Sequence, residues 1–166
     1  MTPGSLVIEI ADRELRITQL GGGEWSVPVG PTLLVERELG HADRPAPEQL
    51  TNALGIVSDH LDDVVRESAM VLTAPTIAFS GRHAVGLGRV ELGADSLPAS
   101  YTLSRADADE VFRTIVAEPI ADRLHNPGLD PAEVETVIGT CCVVLAVMRR
   151  LERSEALIVD DGDGTR

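Results

Sequence analysis

Leu6-Val-Ile-Glu-Ile-Ala-Asp-Arg-Glu-Leu-Arg-Ile-Thr18 is the stretch on which the fold turns. Leu6 to Ile10 is a short β-branched run, and Glu14 to Thr18 alternates polar and apolar with Leu15 and Ile17 on one face. Ala11-Asp12-Arg13 between them makes a tight turn. Gly21-Gly22-Gly23 then supplies the permissive backbone of a second turn ahead of Glu24 to Pro28. Residues 6–28 are therefore expected to form a three-stranded antiparallel meander.

Beyond the meander, a connection marked by Pro45 and Pro47 leads to Leu50, Ala53, Leu54, Val57, Leu61, Val64 and Val65 at helical spacing, with Asp59, Asp62 and Asp63 opposite. Thr76 to Phe79 is a strand that ends at Ser80-Gly81, and the glycine-rich stretch from there to Gly93 gives no local signal. Ser104 with Asp107 caps a second helix ahead of Val111, Phe112, Ile115 and Val116. Asp130-Pro131 with Glu133 opens a third helix over residues 131–152. That helix is apolar nearly all round from Val137 to Met148, which implies burial on both sides, and Ala156 to Val159 reads as a last strand. A meander followed by helix, strand, helices and strand is the order of an α/β layered domain.

Composition narrows the function classes. The net charge of −13 argues against attraction to nucleic acid or to an anionic membrane. All 14 basic residues are arginine, so chemistry that needs a Schiff-base or Walker A lysine is excluded. The longest apolar segment, Val137 to Met148, is shorter than the roughly 18–20 residues of a membrane span, and no secretory signal follows Met1. Cys141 and Cys142 are neighbours within an apolar run, where a bridge would staple nothing; they read as core cysteines of a cytoplasmic protein.

Few residues stand out as chemistry. His41, His60, His83 and His125 form no His-x-x-x-His pair, so no histidine metal site is expected. Asp160-Asp161-Gly162-Asp163-Gly164 starts like a calcium loop but lacks the closing Glu, and reads as a solvated end. Ser80-Gly81-Arg82-His83 just past a strand presents either backbone N–H groups and a guanidinium to a phosphate, or a glycine turn with an exposed arginine.

Ser26-Val-Pro-Val-Gly-Pro-Thr-Leu-Leu-Val-Glu-Arg-Glu-Leu39 with Arg44-Pro-Ala-Pro-Glu-Gln-Leu50 resembles the Ppx/GppA family of exopolyphosphatases and guanosine pentaphosphate phosphatases. Gly128-Leu-Asp-Pro-Ala-Glu-Val-Glu-Thr-Val-Ile-Gly-Thr-Cys-Cys-Val-Val-Leu-Ala-Val-Met-Arg-Arg-Leu151 and then Glu155-Ala-Leu-Ile-Val-Asp-Asp-Gly162 are similar to that family's long helix and closing strand. The resemblance implies a single actin-like (ribonuclease H-like) lobe, the second of the two lobes between which the family binds Mg²⁺ and phosphates. A first lobe, with its own phosphate loop and the catalytic glutamate, is not expected in this length.

Where the family's second phosphate loop reads Asp-Ile-Gly-Gly-Gly-Ser-Thr-Glu, this chain has Glu9-Ile10-Ala11-Asp12-Arg13-Glu14, with every loop glycine replaced. Ala and an acidic Asp block the approach of backbone N–H groups and repel an anion. The family's Gly-x-Ala-Gly-Thr becomes Ala78-Phe79-Ser80-Gly81-Arg82, and the Asp before Val-Ile in the long helix becomes Thr136. Two expectations follow. One is a non-catalytic lobe that associates with itself or with a partner protein. The other is a phosphoanhydride hydrolase completed by a second chain, with Glu9 and Asp12 holding Mg²⁺ and with Ser80, Gly81 and Arg82 at the phosphate.

Overall fold

The computed structural model describes residues 1–161. The meander is present: β1 (Leu6–Ile10), β2 (Leu15–Gln19) and β3 (Glu24–Val27) pair antiparallel, with Glu9 opposite Arg16 and Ile17 opposite Trp25. The first turn closes with the Ala11 N–H donating to the Glu14 carbonyl at 3.0 Å. In the second, Gly21 takes a left-handed φ of 79°. β2 begins and ends one residue later than the alternation predicts, because Gln19 still bonds across the turn to Gly23.

β4 (Ile77–Ser80) lies parallel to β1, β6 (Glu155–Val159) lies parallel to β4, and β5 (Ser100–Ser104) closes the far edge antiparallel to β6. The six strands run in the order β3-β2-β1-β4-β6-β5. All four residues of β4 are buried, as expected of a central parallel strand covered on both faces. β1 alternates instead, with Leu6, Ile8 and Ile10 inward and Glu9 on the other face.

The stretch after β3, which carries no helical signal in the sequence, forms α1 (Pro31–Leu34), which runs into a π-helical turn at Val35–Leu39 and stops at Gly40 with φ 61°. α2 (Pro47–Glu67) is the amphipathic helix read from the spacing, extended by the Gln49 side chain, which accepts from the Ala46 N–H at 2.8 Å. A 3-10 turn at Ala69–Thr73 leads into β4. The unread glycine-rich stretch is α3 (Arg82–Leu92). Its glycines are sites of close packing: a Cβ at Gly88 would stand 2.7 Å from Leu97 Cδ1.

α4 (Arg105–Ala117) starts at Ser104, whose hydroxyl accepts from the Asp107 N–H at 3.0 Å. Ser104→Ala is expected to cost about 1 kcal/mol in urea unfolding; a loss of less than about 0.3 kcal/mol would mean the cap contributes nothing. After the short α5 (Ile120–Arg123), the expected third helix over 131–152 is divided. Pro131–Glu133 is a separate 3-10 turn, capped by Asp130 on the Ala132 N–H, and α6 spans Thr136–Arg150. The break turns Glu133 inward. Every residue of α6 from Val137 to Met148 is buried, as its all-round apolar pattern requires, and the helix packs against α1, α2, α3 and α4.

Cys141 and Cys142 are free thiols in this core, and burial raises the pKa of both. Among the described residues no helix is long and apolar enough to cross a membrane. Residues 162–164 of the calcium-like tail lie outside the described residues.

Candidate functional site

Because β1 and β4 are parallel neighbours in the register Glu9 to Ser80, their carboxyl ends emerge side by side. In open α/β sheets this is where ligand sites form. The five residues singled out from the sequence all meet there. Glu9 ends the exposed face of β1, Asp12 is in the β1–β2 turn, Ser80 is the buried last residue of β4, Gly81 joins β4 to α3, and Arg82 opens α3. Gly81 has φ 94°, and a Cβ there would sit 2.9 Å from the Ile10 carbonyl oxygen, so the turn needs glycine.

The side chains are already engaged with one another. Arg82 Nη2 donates to Asp12 Oδ1, and the same oxygen lies 2.6 Å from His83 Nε2. The Arg82 guanidinium, with His83 second, holds the Asp12 carboxyl below its usual range. A depressed carboxyl contributes its stabilisation above its unfolded value and loses it as the pH falls through the folded value, so this anchor loosens only in acid, below the ordinary 3.8. Glu9 accepts from Arg16 Nη1 with both oxygens, at 3.2 and 3.3 Å. Glu14 accepts from Ser26 and Arg16, which together lower its pKa.

The backbone of the turn is fixed from behind. The Asp12 carbonyl accepts from the N–H groups of Thr32 and Leu33, at 2.9 and 3.4 Å, and Gly30 leaves no room for a Cβ against the Ala11 and Asp12 carbonyls. In front of it lies an open groove of about 450 Å³ lined by Ala11, Asp12, Arg13, Glu14, Ser26 and Pro28.

The roles of two members of the cluster are not legible in the sequence. His83, placed by the sequence in the Ser80-Gly81-Arg82-His83 turn without a role of its own, is buried between Asp12 and Glu133. Glu133, there only a helix-start acid, is buried too, and burial raises its pKa. The adjacency of His83 to Arg82 at a helix start is the one local hint; its meeting with Glu133, far along the chain, has none.

Asp12 and Glu9 are both hydrogen-bonded to arginines, and among the described residues no three His, Cys, Asp or Glu side chains group as metal ligands. What the arrangement does is present a fixed, internally neutralised carboxylate at the position where a strand–helix turn would otherwise receive an anion.

No family model matches the chain, and no curated protein matches it. Solved structures do. An exopolyphosphatase-like protein superposes with a TM-score of 0.79 at 23% identity, covering 95% of this chain and 55% of that one. The type II variant of the Aquifex aeolicus Ppx/GppA phosphatase gives 0.80 at 14% identity over 94% and 53%. An exopolyphosphatase from Cytophaga hutchinsonii gives 0.76 at 14% identity over 94% and 53%. The chain spans about half the length of the structures it matches, and it has the fold of a single actin-like lobe of the Ppx/GppA type.

Proposed function

We propose that this chain is a non-catalytic actin-like lobe that works as an interaction or regulatory module, binding a second copy of itself or a partner protein through the face at the carboxyl ends of β1 and β4. The observation that carries this reading is the Asp12 carboxylate seated on Arg82 and His83. The Arg82 guanidinium that could receive a phosphate at the β4–α3 turn already holds an anion that belongs to the chain. Glu9, the other carboxylate a hydrolase would use for a metal, is engaged with Arg16, which it shares with Glu14.

The test pairs two measurements. Phosphate release from long polyphosphate and from guanosine pentaphosphate with Mg²⁺ is expected to be absent in the chain and in Glu9→Gln alike. Sedimentation is expected to show a species heavier than the 17.7 kDa chain, or a partner protein co-sedimenting with it when cell extract is added. Release that Glu9→Gln abolishes would establish a hydrolase in place of a binding module. A strict monomer that recovers no partner would remove the interaction role.

The internal anion makes a separate prediction. Asp12→Gly frees Arg82 and restores a glycine to the turn, and is expected to bind tripolyphosphate at least about 10-fold more tightly than the parent chain in calorimetry. Equal binding by the two proteins would mean that Asp12 blocks nothing.

A further inference from the structure

β5 is the last strand of the sheet on the side away from the meander, and one flank of it has no neighbouring strand. One bond tells which of its backbone groups face outward. The Arg105 N–H donates to the Ser154 carbonyl at 2.8 Å, in the register that sets Ser104 opposite Glu155, so Arg105 and Ser154 are a hydrogen-bonded pair. Antiparallel pairs alternate. Leu103 with Ala156 and Tyr101 with Ile158 are therefore hydrogen-bonded pairs too, and the N–H and carbonyl groups of Ser100 and Thr102 point away from β6. The Ser104 N–H does the same, while the Ser104 carbonyl belongs to the first turn of α4. Among the described residues nothing bonds to these outward groups.

The flank is also unguarded. Ser100-Tyr-Thr-Leu-Ser104 carries no charge and no proline, whereas β3 at the other edge opens with Glu24 and runs into Pro28. Charge and proline are common means by which an edge refuses another strand. For two chains of net charge −13, an uncharged flank is the approach that adds least to their repulsion.

We propose that β5 pairs antiparallel with β5 of a second copy about a two-fold axis at Thr102, joining two six-stranded sheets into one. In that register Thr102 faces Thr102, and each donates its N–H to the carbonyl of the other. The Ser104 N–H of each copy reaches the Ser100 carbonyl of the other, and half-buried Tyr101 comes beside Leu103. The outward groups at 100, 102 and 104 are disposed symmetrically about 102, so the strand is complementary to itself. Charge completes the fit. The β5–β6 register carried one residue further sets Ala99 beside Asp160, and the row they form receives Arg105 of the second copy. Arg105 makes no ion pair of its own among the described residues. This contact lies apart from the face at the carboxyl ends of β1 and β4 and does not rest on the role proposed for that face.

The experiment is sedimentation equilibrium of the full chain from roughly 1 to 500 µM, with hydrogen exchange of single amides at both extremes, for the parent, Thr102→Pro and Thr102→Lys. Thr102→Pro removes only an outward donor and leaves the β5–β6 ladder whole. The parent is expected to dimerise, its Thr102 and Ser104 amides slowing as concentration rises while those of Tyr101 and Leu103 are protected throughout. Thr102→Pro is expected to raise the dissociation constant at least about 10-fold. Thr102→Lys, which sets like charges opposite each other on the axis, should do the same. A chain monomeric over the whole range would overturn the proposal, even if it still captures another protein at the groove face. So would a dimer whose Thr102 amide exchanges equally fast at both extremes, or one that both variants leave intact, since that dimer uses a different face. If Thr102→Pro does not fold, Thr102→Lys and the parent's Thr102 exchange decide by the same outcomes.

Discussion

Arg123→Ala is expected to remove about 3–5 kcal/mol of stability, enough to leave a marginal domain partly unfolded. Arg123 is fully buried, and its guanidinium is shared among three backbone carbonyls: Nε donates to Glu118 at 3.1 Å, Nη1 to Val134 at 2.6 Å, and Nη2 to Asp43. Asp43 adds a second tie through its side chain, which accepts from the Ile120 N–H at 2.7 Å. One arginine thus holds together the connection before α2, the joint between α4 and α5, and the turn before α6. Truncation leaves a cavity and three carbonyls without their donor. Arg123→Lys keeps the charge but not the fork, and should fall between the two. Urea unfolding gives the answer, and an alanine variant within about 1 kcal/mol of the parent would show that water replaces the guanidinium at little cost.

Gly139→Ala is expected to cost about 2–3 kcal/mol and to disturb the groove face from a distance. A Cβ at Gly139 would lie 2.6 Å from the carbonyl oxygen and 2.8 Å from Cα of Pro31, so α6 and α1 touch backbone to backbone. Pushing α1 away strains the bonds that the Thr32 and Leu33 N–H groups make to the Asp12 carbonyl. Hydrogen exchange at the Thr32 amide should rise along with the loss of stability seen in urea. A stable variant with unchanged Thr32 protection would mean the two helices separate without consequence for the turn.

These two positions mark the limit of what the sequence discloses. The meander, α2, the cap at Ser104 and the buried α6 are legible because each rests on local chemistry: alternation, helical spacing, a hydroxyl at a helix start, an apolar surface all round. α3 is not, because its glycines at 86 and 88 lower helix propensity and are explained only by what packs on them, Glu133 and Leu97. β5 gives no signal for a similar reason, since its alternation matters only once β6 is beside it. At the site, the residues next to strand ends can be found from their neighbours in sequence. His83 and Glu133 cannot, because their meaning is a distance across the fold. Arg123 carries no signal at all in a chain whose basic residues are all arginine.

The position of β4 in the sheet has a consequence for the order in which the protein can assemble. Its residues are buried on both faces, and one of its two neighbours is β1, which precedes it in the chain. The other is β6, and every residue from Gly81 to Ser154 comes before it. While a ribosome is making that stretch, an apolar strand stands at an open edge, and the helix that will cover the core, α6, is made only toward its end. Long-range parallel pairing of this kind is slow as well. The nascent chain is therefore most open to wrong strand pairing in its second half, and that is the window in which a chaperone or a slower rate of translation would do most for its yield.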